Sequence, residues 1–119
     1  MRGERRINAG KVSDLTTEHF TIITADNISV GIILTENGVK AFLNVCPHAG
    51  APICQGEVTN LVISNQPYHS QDNSEVKIIK CPWHKYEYDL ITGNGIIPDS
   101  GKLISIDTEE INGELFLLI

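Results

Sequence analysis

Cys46-Pro47-His48-Ala49-Gly50-Ala51-Pro52 and Cys81-Pro82-Trp83-His84 carry most of the information in this chain. Each sets one thiol and one imidazole a few residues apart on a loop stiffened by proline. Zinc readily takes two thiols and two imidazoles, but zinc fingers group cysteine with cysteine and histidine with histidine. Here each loop carries one of each. Two such loops can grip two metal ions, with both thiolates on one ion and both imidazoles on the other. A [2Fe–2S] centre with mixed ligation asks for that arrangement. A closed structural zinc site built from the same four residues is the competing reading.

Outward from the two boxes, the chain reads as short strands separated by turns. Residues 86–90 alternate in polarity before Thr92-Gly93-Asn94-Gly95, a strong turn signal. β-Branched runs at 20–24, 28–34 and 39–45 predict strands, the last two joined as a hairpin across Glu36-Asn37-Gly38. Further strands are expected at 58–64 and 76–80, with a closing pair at 103–107 and 115–119 that turns at Ile111-Asn112-Gly113. Residues 11–15 predict one helical turn capped by Ser13 or Asp14. Residues 65–75 hold Gln66-Pro67 and Ser70-Gln71-Asp72-Asn73-Ser74 and little that is apolar, so they predict a surface excursion between the boxes. No repeat, low-complexity tract or sustained helical period is present.

A chain of 119 residues is expected to form one domain with one core. No run approaches the roughly 20 apolar residues of a membrane span. No apolar segment follows the charged start Met1-Arg2-Gly3-Glu4-Arg5-Arg6, so neither a secretory signal nor a membrane anchor is expected. A net charge of −6 disfavours nucleic-acid binding and suits docking onto a basic partner. If Cys46 and Cys81 ligate metal, Cys54 is left without a disulfide partner, which fits a reducing cytoplasm. Cys54 then reads as a small buried hydrophobe. His19 and His69 lie in polar contexts and read as surface residues.

The two boxes resemble the cluster-binding boxes of Rieske iron–sulfur proteins, chiefly the soluble Rieske-type ferredoxins and the Rieske domains of oxygenase systems. The resemblance extends through Tyr86-Glu87-Tyr88-Asp89-Leu90-Ile91-Thr92-Gly93, and Pro98 resembles the proline of a third loop over the cluster. It covers about residues 5–119. It implies an all-β fold: an antiparallel β-sandwich or partly closed barrel, a single domain over 1–119, with a small cluster-binding subdomain at about 45–90. It also implies one [2Fe–2S] cluster, with Cys46 and Cys81 on a buried inner iron and His48 and His84 on the outer one.

Around these four ligands the resemblance marks out Gly50, Trp83, Lys85 and Tyr88. Gly50 supplies backbone freedom for a turn whose N–H groups can face cluster sulfurs. Trp83 either covers the cluster or packs into its loop. Lys85 replaces the glycine usual after the second histidine. Tyr88 stands where high-potential members place a hydroxyl against a ligand sulfur. Their second hydroxyl, from a serine, is replaced here by Tyr86, and Ala51 and Trp83 occupy the places of their loop-tying disulfide. A low potential is therefore expected, toward the bottom of the range of about −150 to +300 mV.

The role implied is one-electron transfer from a reductase to a terminal oxygenase or other redox partner, as an electron-transfer component more than a stand-alone catalyst. The chain has no room for a second domain with a two-histidine, one-carboxylate iron site, and it lacks a dinucleotide fingerprint. Two other roles fit the same residues: a small Rieske-like subunit of a nitrite reductase or other stable complex, and a zinc-stabilised interaction module.

Overall fold

The computed structural model describes residues 5–25, 27–47, 50–63, 74–83, 86–97 and 100–119, with the backbone alone at 60–63 and 74–76. Among them are nine strands in three antiparallel sheets of three strands each, and no sheet closes into a barrel. The first sheet orders β1 (Arg6–Lys11), β9 (Glu114–Leu118) and β8 (Asp107–Ile111). The second is the meander β2 (Thr21–Ala25), β3 (Ile28–Thr35) and β4 (Gly38–Leu43). The third is β5 (Glu57–Ile63), β6 (Ser74–Lys80) and β7 (Glu87–Asp89).

β3 organises the stack. Its residues Val30 to Ile33 are all buried, which a strand covered on one face cannot achieve. Successive side chains point to opposite faces. Val30 and Ile32 pack with Ala41, Leu115 and Leu117 toward the first sheet. Ile33 packs with Phe20, Phe42, Ile79, Leu90 and the three cysteines on the other side. The middle sheet is therefore sandwiched, and its second face forms the floor under both boxes. Burying a side chain such as Leu90 or Ile79 there contributes about 1.5–3 kcal/mol.

The hairpin β3–β4 forms as the sequence predicts, with Thr35 opposite Gly38 and Val30 opposite Leu43. The closing pair differs from expectation. β9 pairs with Asp107–Ile111, not with 103–107. Residues 103–106 instead run beside β4, where Phe42 bridges Ser105 and the Leu43 N–H donates to the Ile104 carbonyl at 2.8 Å. Leu103 is thereby buried next to the boxes.

β1 was not legible as a strand. It pairs with β9 across an irregularity between Asn8 and Lys11 and buries only Ala9. The helical turn is a 3-10 turn at Val12–Asp14, closed by the Leu15 N–H on the Val12 carbonyl; neither Ser13 nor Asp14 caps it, and its N-cap position, Lys11, makes no side-chain bond. The surface excursion is shorter than predicted: Ser74 and Glu75 belong to β6, opposite Ile63 and Val62. Its remainder, with His69, lies outside the described residues.

Candidate metal centre

The two boxes are built alike. The Cys46 N–H donates to the Ala51 carbonyl at 2.7 Å, and the Cys81 N–H donates to the Tyr86 carbonyl at 2.7 Å. Each loop thus leaves the sheet at its cysteine and is pinched shut five residues later. Cys46 follows β4 and Cys81 follows β6, so rigid strands fix both cysteines. The first loop is tightened further by the Gly50 N–H on the Cys46 carbonyl at 2.9 Å. Gly50 has φ +75°, a conformation that glycine adopts freely and a β-carbon resists. Gly50 thus makes a turn, with its own N–H directed to the Cys46 carbonyl.

Cys46 and Cys81 are each 1% exposed and share one apolar cluster with Ile53, Ile79, Tyr88 and Leu90. No disulfide joins the three cysteines. Pro47, Pro82 and Trp83, which lie between the cysteines and the histidines in sequence, are exposed. The loops therefore bury their thiols and lift the following residues toward solvent. His48, His84 and Lys85 lie outside the described residues, as does Pro98. Among the described residues no group of three or more metal-binding side chains assembles. Two buried thiols in one apolar cluster, each followed by exposed residues, fit the inner, thiolate-ligated side of an asymmetric two-iron group.

Tyr88 completes the floor. It is fully buried, and its hydroxyl donates to the Ser100 carbonyl at 3.0 Å while lying 3.7 Å from Cys46 Sγ. Burial, and then the contact with Cys46, push its ionisation above the ordinary phenol range. Tyr86 is half-buried against the same cluster. Trp83 is 61% exposed, so its ring does not pack into the loop. His19 is exposed, as expected, within hydrogen-bonding reach of the Thr16 hydroxyl. Cys54 is buried, and burial pushes its thiol up to about 12.

Three residues near the boxes escaped the sequence reading. Ser100 is buried and supplies the acceptor for Tyr88. Gly101, at φ +91°, lies close against the first box: a β-carbon there would lie 2.9 Å from Pro47 Cβ. Asn44, a polar residue inside the otherwise largely apolar run 39–46, is buried at 9% exposure. That break in the run was the available signal.

The Rieske [2Fe-2S] domain model matches residues 5–106. The chain belongs to the Rieske family. Its cofactor is accordingly one [2Fe–2S] cluster. A search of curated proteins gave no match. Among solved structures, this Rieske chain is similar to the ferredoxin of carbazole 1,9a-dioxygenase from Nocardioides aromaticivorans, with 19% identity, 97% of this chain and 98% of that chain covered, and a TM-score of 0.71. It is also similar to a protein described as the small subunit of an NADH-dependent nitrite reductase from Mycobacterium tuberculosis (16% identity, 97% and 95% covered, TM-score 0.70). A third match is a complex of reduced oxygenase and oxidised ferredoxin in carbazole 1,9a-dioxygenase (16% identity, 93% and 99% covered, TM-score 0.69). At these identities the likeness establishes the shared Rieske fold. No described helix is long and apolar enough to cross a membrane.

Proposed function

We propose that the chain is a one-electron carrier of the Rieske type, a cytoplasmic component that takes an electron from a reductase and delivers it to a terminal oxygenase or another redox enzyme. Cys46 and Cys81 hold the inner iron, and His48 and His84 hold the outer iron. When bound, the cluster supplies a reversible one-electron couple. Residues of about 45–90 act as the cluster-binding subdomain of a single domain.

The observation that carries the reading is the burial of Cys46 and Cys81 on two identically pinched loops whose next residues are exposed. The apolar floor keeps water from the thiolates. On this reading the imidazole-bound iron faces the partner's surface. A ferredoxin of this fold stands in complex with its oxygenase in carbazole 1,9a-dioxygenase, which supports a protein acceptor. The nitrite reductase small subunit of the same fold supports a second reading, a fixed subunit of such an enzyme.

Electron paramagnetic resonance of the dithionite-reduced protein, with metal analysis of the same sample, tests the cofactor. Two irons per chain and a rhombic Rieske signal are expected. One bound zinc and no redox couple after reconstitution with iron and sulfide would refute the carrier and establish the zinc module. Co-purification with an enzyme at fixed stoichiometry would replace the diffusing carrier by the subunit.

A further inference from the structure

Besides the Tyr88 hydroxyl and the cysteine thiols, the buried polar side chains among the described residues are Asn44 and Ser100. Ser100 turns back on its own segment, its hydroxyl donating to the Ile97 carbonyl at 2.5 Å. Asn44 reaches further. It follows β4 and precedes Cys46 by two residues. Its backbone N–H donates to the Ser29 carbonyl at 2.8 Å. Its Nδ2 donates to Ser29 Oγ at 3.1 Å, and its Oδ1 accepts the Cys54 N–H at 2.7 Å. Cys54 lies at the far end of the loop that begins at Cys46. One side chain therefore joins the two ends of that loop and ties both to β3.

The far end is seated as well as tied. The Cys54 thiol rests on Gly31 of β3, where a β-carbon would lie 2.3 Å from Sγ and 2.9 Å from the Phe20 ring. Lateral play of the loop against the middle sheet is thereby removed. We infer that Asn44 is a positioning residue: its amide closes the 46–54 loop onto β3 and fixes the direction from which Cys46 presents its thiolate. An amide suits the task, because it accepts from one partner and donates to the other. Aspartate can replace it in geometry, accepting from Cys54 while the Ser29 hydroxyl donates. Leucine fills a similar volume and does neither, which leaves a buried N–H unpaired.

The inference rests on the ligation by Cys46 proposed above. The test compares wild-type, Asn44→Leu and Asn44→Asp proteins, each loaded with iron. It measures hydrogen exchange at the Cys54 amide and the g-values of the reduced protein. Asn44→Leu should speed exchange at Cys54 by about tenfold or more and shift or broaden the g-values. Asn44→Asp should keep both close to wild type, with exchange within about threefold of wild type. Should Asn44→Leu fail to fold, Ser29→Ala takes its place, with the same direction of change expected. Wild-type exchange and g-values in Asn44→Leu or Ser29→Ala would overturn the positioning role, as would an Asn44→Asp protein as perturbed as Asn44→Leu. Absence of a Rieske signal from the wild-type protein would refute the ligation instead.

Discussion

The Tyr88 hydroxyl gives its proton to the Ser100 carbonyl, 3.0 Å away, although Cys46 Sγ lies only 3.7 Å from the same oxygen. A phenol has one proton to donate, and the shorter, oxygen-directed contact holds it. The sulfur then gains little from a residue that stands in the place of a potential-raising tyrosine. Tyr88→Phe should therefore shift the reduction equilibrium by less than about threefold, or about 30 mV for one electron. It should lower stability by about 1–2 kcal/mol, because the Ser100 carbonyl loses its buried donor. Redox titration and urea unfolding separate the two effects. A large drop in potential would show that the proton goes to sulfur.

Gly101 itself lies against the first box, with a notional β-carbon 2.9 Å from Pro47 Cβ and φ at +91°. Gly38 has φ +102° and open space around it. Gly101→Ala therefore combines backbone strain with a clash, whereas Gly38→Ala carries the strain alone. Gly38→Ala should cost about 1 kcal/mol. Gly101→Ala should cost about 2–3 kcal/mol and speed iron loss to a chelator. Equal stability and equal iron retention in the two variants would show that the Pro47 contact is unimportant.

The boxes were legible because their chemistry is local: a thiol, a proline and an imidazole lie within four residues. The hairpin β3–β4 was legible because Ile28–Thr35 is a nearly unbroken apolar and β-branched run before a glycine turn. Two strands were hidden for opposite reasons. Arg6–Lys11 contains asparagine and glycine and exists through its pairing with β9. Asp107–Ile111 is acidic, and its neighbour 103–106 looks more strand-like but is held beside β4. Tertiary pairing overrides propensity in both cases. Ser100 and Gly101 depend on partners 12 and more residues away, so no local pattern announces them, and Asn44 shows only as a polar break in an apolar run.

Trp83 is the only tryptophan in the chain, and it is 61% exposed beside the second box. Its emission in the metal-free protein should be that of a solvated indole and should be quenched by iodide nearly as well as a free indole. Trp83→Ala should change stability by less than about 0.5 kcal/mol. An aromatic ring with so little internal use is suited to anchor a partner, so reduction of the acceptor enzyme should slow by about tenfold. A blue-shifted emission protected from iodide would show instead that the ring folds over the cluster.

Cys54 gives the protein an alkaline limit. Burial lifts its thiol from 9.0 to about 12, opposed only by a hydrogen bond from the Gly31 backbone. Below pH 9.0 the thiol is protonated in both folded and unfolded chains and leaves stability independent of pH. Between 9.0 and about 12 the unfolded chain has released that proton and the folded one has kept it, so stability falls as pH rises. The slope from this group approaches about 1.4 kcal/mol per pH unit. Cys54→Ala empties a site packed against Gly31 and Phe20, so it lowers stability at neutral pH. It should also remove this part of the alkaline slope. Urea unfolding of the two proteins at a series of pH values isolates the difference, because all other titrating groups are shared. Parallel curves from pH 8 to 11 would mean that the folded protein already exposes the Cys54 thiol to water.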